Sequence, residues 1–128
     1  MKNIAITENH LYQKAYQRGK RFVGRLVSVH VLKDYAAHRL MKANPQKQFV
    51  NRVGIAVSKK VGGAVTRSRV KRILREGYRG VNRDGAIRTG YLVVLSARPD
   101  AVSAKSTDVE RELRYALGKL DMLRVRSN

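Results

Sequence analysis

Between residues 65 and 79, Val70, Ile73, Leu74, Gly77 and Tyr78 fall at the i, i+3, i+4, i+7 and i+8 positions of one helix face. Such a helix is stable only when another element covers its apolar stripe. Segments with period-two patterning supply that cover. In residues 25–33, Val27, Val29 and Val31 point one way, and Ser28 and His30 point the other. In residues 49–58, Val53, Ile55 and Val57 form an apolar face, while Arg52, Gly54, Ala56 and Ser58 form a small, polar one. Tyr91 to Ala97 is an apolar run and reads as a buried strand. It ends at Arg98-Pro99, because proline has no N–H to give to a ladder.

The remaining elements follow from local signals. Thr7 is expected to cap a first helix on which Leu11 and Ala15, and likewise Tyr12 and Tyr16, lie one turn apart. Arg18-Gly19-Lys20 ends it, with Gly19 expected in the left-handed conformation. Phe22-Val23 suggests a short strand. Residues 36–48, with Asn44-Pro45, read as a basic loop, and 80–90 as a Gly-rich loop turning at Asp84-Gly85. Thr107-x-x-Glu110 is a capping-box signature for a last helix with the stripe Val109, Leu113, Ala116, Leu117 and Leu120. The order α-β-β-α-β-α, with an extra short strand allowed, predicts an α/β (α+β) two-layer sandwich with helices on one face of a small mixed sheet. The chain has 128 residues, the size of a single domain spanning 1–128, and no repeat or linker divides it.

Charge narrows the function. There are 28 Lys+Arg against 9 Asp+Glu, a formal net charge of +19. Self-repulsion of that size destabilises a compact fold, so a polyanionic partner is expected, and nucleic acid is the commonest. The absence of cysteine excludes disulfides, Cys-based metal sites and thiol chemistry. No apolar run approaches the ~20 residues of a membrane-spanning helix. Residues 1–7 resemble neither a signal peptide nor a transit peptide, so a cytoplasmic location is expected.

The cations are concentrated in Arg67-Ser68-Arg69-Val70-Lys71-Arg72-Ile73-Leu74-Arg75-Glu76. At ~100° per residue, Arg67, Lys71 and Arg75 line up on one side of the helix, extended by Arg72 and Arg79. Like charges four residues apart cost roughly 0.2–0.5 kcal/mol per pair, a cost that a phosphate backbone reverses. Arginine's forked donors suit phosphate oxygens. Glu76 is expected to pair with one of its arginine neighbours. Just upstream, Lys59-Lys60-Val61-Gly62-Gly63 reads either as a phosphate site at the helix N-terminus or as an ordinary turn. It lacks the Lys-Ser/Thr of a nucleotide-binding loop. Tyr12 and Tyr16 read either as core residues or as a platform for single-stranded bases.

Taken together, Val57-Ser58-Lys59-Lys60-Val61-Gly62-x-Ala64-Val65-x-Arg67-x-Arg69-Val70-Lys71-Arg72-x-x-Arg75-Glu76 resembles the signature of the bacterial ribonuclease P protein family. Leu11-Tyr12-x-x-x-Tyr16-x-x-Gly19 and the last helix also fall where that family has them, so the resemblance covers nearly the whole chain. It implies a sandwich with a left-handed β-α-β crossover and a role as the protein subunit that assists RNA-catalysed removal of the 5′ leader from precursor tRNA. It also implies that Lys59, Lys60, Arg67, Ser68, Arg69, Lys71, Arg72 and Arg75 face the catalytic RNA. Tyr12, Tyr16, His30, Arg52, Ala56 and Ser58 would line a cleft for the single-stranded leader. A divalent metal, Mg2+, would be held mainly by the RNA. Four features depart from the family pattern. Ser68 stands where asparagine is usual, and His30 where an aromatic is common. Tyr12 and Tyr16 occupy positions often held by Phe, and the 36–48 loop is somewhat long.

The nine acids are scattered and suggest neither a metal-holding carboxylate cluster nor a general acid–base pair, so the polypeptide alone is expected to be non-catalytic. Asp108, Glu110 and Glu112 read as acids suited to a helix N-terminus. Precursor tRNA and the catalytic RNA are the expected partners, with no membrane and no obligate protein partner. The alternative is a ribosomal or general RNA-chaperone protein; a membrane-surface polycation fits poorly, because the charge is spread through a patterned globular chain.

Overall fold

The computed structural model of the chain describes residues 4–36, 38–39, 51–83 and 85–124. Five strands form one sheet: β1 (Ile4–Ala5), β2 (Lys20–Val23), β3 (Val27–Lys33), β4 (Arg52–Ala56) and β5 (Tyr91–Ala97), in the order β1-β4-β5-β3-β2. The three long helices among the described residues are α1 (Asn9–Arg18), α2 (Ala64–Val81) and α3 (Ser106–Lys119), with 3-10 turns at Lys59–Val61 and Pro99–Ser103. β2–β3 and β3–β5 pair antiparallel, whereas β1–β4 and β4–β5 pair parallel. Of the expected basic loop at 36–48, the described residues 36, 38 and 39 are helical instead, and the others lie outside the described residues, as does Asp84 of the expected turn.

Residues 53 and 55, with 93 and 95 and the three valines of β3, face α2 and α3. The predicted stripes lie there as expected: Val70, Leu74, Val109, Leu113, Ala116 and Leu117 are fully buried. Fully burying a side chain of this size stabilises by ≈ 1.5–3 kcal/mol. The expectation that helices cover one face only is corrected: α1 lies on the opposite face, where Leu11 and Ala15 pack on Leu92 and Val94. The reason is visible in β5. Its apolar run has no polar alternation, so both of its faces need cover.

β4 and β5 are parallel neighbours joined through α2. The Val53 carbonyl accepts the Ile6 N–H at 3.0 Å, so it points towards β1, while the Val53 side chain faces α2. For an L-residue those two directions put β5 on the left of β4 when viewed from the helix. The crossover is therefore left-handed, against the strong right-handed preference of such units.

Several local expectations change. Glu8, not Thr7, occupies the N-cap of α1, and its side chain makes no cap hydrogen bond. Gly19 is extended (φ −76°, ψ 159°) rather than left-handed. Glycine is needed there for space, since a Cβ would lie 2.5 Å from the Ala15 oxygen and 2.7 Å from that of Val31. The capping interaction of α3 uses Asp108, whose carboxylate accepts the Lys105 N–H at 2.9 Å, in place of Thr107 and Glu110. Glu112 is not a dipole residue: it accepts the N–H groups of Arg25, Leu26 and Val27 at 2.8–2.9 Å and pins the β2–β3 turn. Buried Asn51 links Tyr78, Arg88 and Tyr91. Burial pushes the Tyr78 hydroxyl up to about 12, partly opposed by its bond to Asn51.

Candidate nucleic-acid interface

The register fixes what lies on the α1 face. Directly paired residues share a face, so Arg21 and His30 stand beside Val94 and Gly54, and the next row is Val23, Ser28, Ser96 and Ala56. α1 covers the rows that contain Leu92 and Val94, and its Tyr16 reaches the open row at Ser96. Tyr16 Oη lies 3.0 Å from Ser96 Oγ, and its ring meets His30 edge-on at a centroid distance of 4.8 Å. Tyr12 lies over Gly54, where a Cβ would come within 2.6 Å of the ring, so glycine is what lets the tyrosine lie against the sheet. The result is a trough running across the strands. Tyr12, Tyr16 and His30 form one wall, and Val23, Ser28, Ser96 and Ala56 form the floor.

Tyr12 is half-buried, and its hydroxyl titrates above the ordinary tyrosine value. Burial is the main cause and Tyr16 adds to it, while a backbone hydrogen bond at Ile55 acts the other way. Burial, and then the Arg21 charge, hold His30 below the usual imidazole value. The ring is therefore neutral at pH 7, and its buried Nδ1 has no hydrogen-bond partner among the described residues. Tyr16 is 37% exposed, a partly open aromatic edge at the trough.

Not every expected cleft residue joins this group. Arg52 is on the α1 face but in the row of Leu92, at the far end of the sheet from Ala56. Its guanidinium donates to both Asp34 oxygens, at 2.6 and 2.8 Å, and Asp34 is 2% exposed. That hydrogen bonding raises the Arg52 pKa and commits the guanidinium to the fold. Ala56 ends β4 and is half-buried, and the exposed Ser58 follows it out of the trough. Ser28, Ser96, Val23 and Arg21 were missed by sequence reading. Alternation alone puts Ser28 beside His30, but Ser96 and β2 join the row only through strand pairing.

From Ser58 the chain enters the Lys59–Val61 turn and then α2. Lys59, Lys60, Ser68, Lys71, Arg72, Arg75 and Arg79 are exposed and lie off the buried stripe. Arg67 is half-buried, with its Nε enclosed and unpaired among the described residues. Arg69 differs from the others: its guanidinium donates to the Val102 and Ala104 carbonyls at 2.8 and 3.3 Å and ties α2 to the Pro99–Ser103 turn. The expected ion pair of Glu76 is not formed among the described residues. Among the described residues, no carboxylate lies within ion-pair distance of an α2 cation. Among the described residues no group of three or more His, Asp or Glu could hold a metal ion, and no helix is long and apolar enough to cross a membrane.

Known proteins share both the sequence and the fold. The family model described as Ribonuclease P matches residues 1–121. The ribonuclease P protein component of Clostridioides difficile is 34% identical over 87% of this chain and 86% of its own length. That of Clostridium botulinum is 36% identical over 93% and 96%. The Staphylococcus aureus RNase P protein structure superposes with a TM-score of 0.74 at 24% identity, covering 96% of this chain and all of that one, a likeness of fold. With the family model spanning nearly the whole chain and relatives above 30% identity over most of their length, this chain belongs to the ribonuclease P protein family.

Proposed function

We propose that this chain works as the protein component of ribonuclease P in the cytoplasm, with the exposed α2 cations on the catalytic RNA and the trough on the single-stranded leader of precursor tRNA. The observation that carries this reading is the continuity of the two surfaces. The floor residue Ala56 leads through Ser58 directly into Lys59, Lys60 and the α2 cations. A strand leaving an RNA-bound cleavage site at α2 would thus enter the trough without crossing an acidic surface.

Lys59, Lys60, Arg67, Ser68, Lys71, Arg72 and Arg75 supply phosphate contacts, and Arg69 shapes that surface by holding the 3-10 turn. Tyr12 and Tyr16 offer faces and edges to unstacked bases, a sequence-tolerant contact worth ≈ 1–3 kcal/mol per base. Neutral His30 adds a hydrogen-bonding ring nitrogen. Arg52 acts as a strut rather than a leader contact. Hydrolysis is assigned to the RNA, which would hold the divalent metal, Mg2+. The polypeptide positions substrate.

The test is cleavage of precursor tRNA by the matching catalytic RNA at low magnesium, with and without this protein. Stimulation of the RNA and no turnover by RNA-free protein are expected. Sustained cleavage by the protein alone, lost on mutating an acidic residue, would contradict this assignment.

A further inference from the structure

We propose that the cavity between α3, the β2–β3 turn and the Pro99–Ser103 turn binds one unpaired nucleotide of the catalytic RNA, with its base against Tyr115 and its flanking phosphates at Arg111 and Lys119. This rests on the reading above that the catalytic RNA lies along the α2 cations. It adds a site on the other face of the sheet from the trough.

The cavity holds about 650 Å3, within the size range of small-molecule sites, and Phe22, Arg25, Asp100, Arg111, Glu112 and Tyr115 are among its walls. Phe22 pairs with Val29, which is buried beneath the helices, so the cavity lies on the α2–α3 face at the β2 edge. One wall is aromatic. The Phe22 and Tyr115 rings meet edge-on at a centroid distance of 5.6 Å, and Tyr115 is 59% exposed. Arg111, Tyr115 and Lys119 follow one another at four-residue spacing, so they form one ridge along α3 with about 6 Å of rise between neighbours. Arg111 is exposed and has no carboxylate within ion-pair distance among the described residues. The Lys119 ammonium lies 5.5 Å from the centre of the Tyr115 ring, a weak contact that an exposed lysine can exchange for a phosphate. A ring between two cations complements one nucleotide, a base between two phosphates.

The carboxylates of the cavity are held by the fold. Asp100 pairs with Arg25 at 3.3 Å, Asp108 accepts the Lys105 N–H, and Glu112 accepts three N–H groups of the β2–β3 turn. Carboxylate oxygens only accept, so their remaining lone pairs suit the amino group of an adenine or cytosine base. The Pro99–Ser103 turn joins this cavity to the α2 surface. The Lys59–Val61 turn lies against it, and Arg69 of α2 donates to its Val102 carbonyl and to that of Ala104. An RNA strand held at Lys59 and Lys60 has only that turn to pass, with its partly exposed Val102, before it reaches the cavity.

The experiment measures affinity of the full-length protein for the matching catalytic RNA, with a melting curve on each variant. It uses wild type, Tyr115→Phe, Tyr115→Leu, Arg111→Gln, and Lys71→Glu combined with Arg75→Glu. Tyr115→Leu, which keeps an apolar contact for Phe22, should weaken binding at least about fivefold, the loss of one stacked base. Tyr115→Phe keeps the ring and should bind as wild type. Arg111→Gln should reduce the magnitude of the salt slope by about 0.7–0.9. Melting temperatures should hardly move, and the ratio of holoenzyme affinities for precursor and mature tRNA should stay the same. Wild-type affinity and slope in both Tyr115→Leu and Arg111→Gln, or equal losses in Tyr115→Leu and Tyr115→Phe, would overturn the proposal. So would adenosine monophosphate bound by wild type and not by Tyr115→Leu with no difference in their RNA affinity, which would assign the cavity to a free nucleotide. The double charge reversal separates the two levels. If it leaves RNA affinity intact, the parent reading of α2 fails. If it weakens RNA binding while the Tyr115 and Arg111 variants match wild type, only the cavity site fails.

Discussion

On the α2–α3 face of the sheet, Val27, Val29, Val93 and Leu95 are fully buried beneath two helices. On the other face, the row Val23, Ser28, Ser96 and Ala56 lies beyond the Leu92 and Val94 rows on which α1 packs. The same strands build both. The difference is that one face is closed by long stripes and the other by a ten-residue helix whose only buried residues are Leu11 and Ala15. A fold whose stability comes mostly from one face can leave part of the other exposed for binding. Mutations on the two faces should therefore separate stability from substrate affinity.

The largest effect is expected on the closed face. Leu74→Ala should lower unfolding free energy by about 2–5 kcal/mol, because the cavity cannot collapse between packed helices. Tyr16→Ala should change it by less than about 1 kcal/mol. Denaturant melts of both variants check this, and equal losses would erase the distinction.

Within α2 the comparison sharpens further. Lys71→Glu with Arg75→Glu should leave folding nearly unchanged. Each lost phosphate contact should reduce the salt slope for RNA binding by about 0.7–0.9. Arg69→Ala should do the reverse. Losing its bonds to Val102 and Ala104 should cost about 1–3 kcal/mol of stability with little change in slope. Salt titrations and melts on the same preparations read both quantities.

The smallest effect concerns His30. Its folded pKa lies below the unperturbed 6.5, first through burial and then through Arg21. The unfolded chain therefore binds the proton more readily, and stability should fall as the pH is lowered from 7 through 6.5. His30→Gln should remove that part of the pH dependence in a melting series.

Much of this architecture is legible in the sequence. The stripe Val70-Ile73-Leu74-Gly77-Tyr78, the β3 valines and the 91–97 run are periodic, and periodicity reports burial directly. The misses have one physical character. Asp34 with Arg52, Glu112 with residues 25–27, Asn51 with Tyr91, and Arg69 with residues 102 and 104 are polar bonds between distant parts of the chain. No pattern along the chain pairs them, because each depends on how the sheet and helices are assembled. They also decide which arginines remain available. Arg52 and Arg69 look like Arg75 in the sequence, yet their donors are taken. Alternation puts His30 and Ala56 on the α1 face and one-turn spacing puts Tyr12 and Tyr16 together on α1, whereas Ser58, expected beside them, lies beyond the end of β4. Their partners on β2 and β5 required the register.

The most direct test of the central claim compares Tyr12→Ala with wild type in holoenzyme binding to precursor and mature tRNA, with a melting curve on each protein. If Tyr12 serves the leader, precursor affinity should weaken by about 1–3 kcal/mol while mature-tRNA affinity and the melting temperature hardly move. Equal losses for both RNAs together with a lowered melting temperature would contradict the account and make Tyr12 a packing residue of the α1 face.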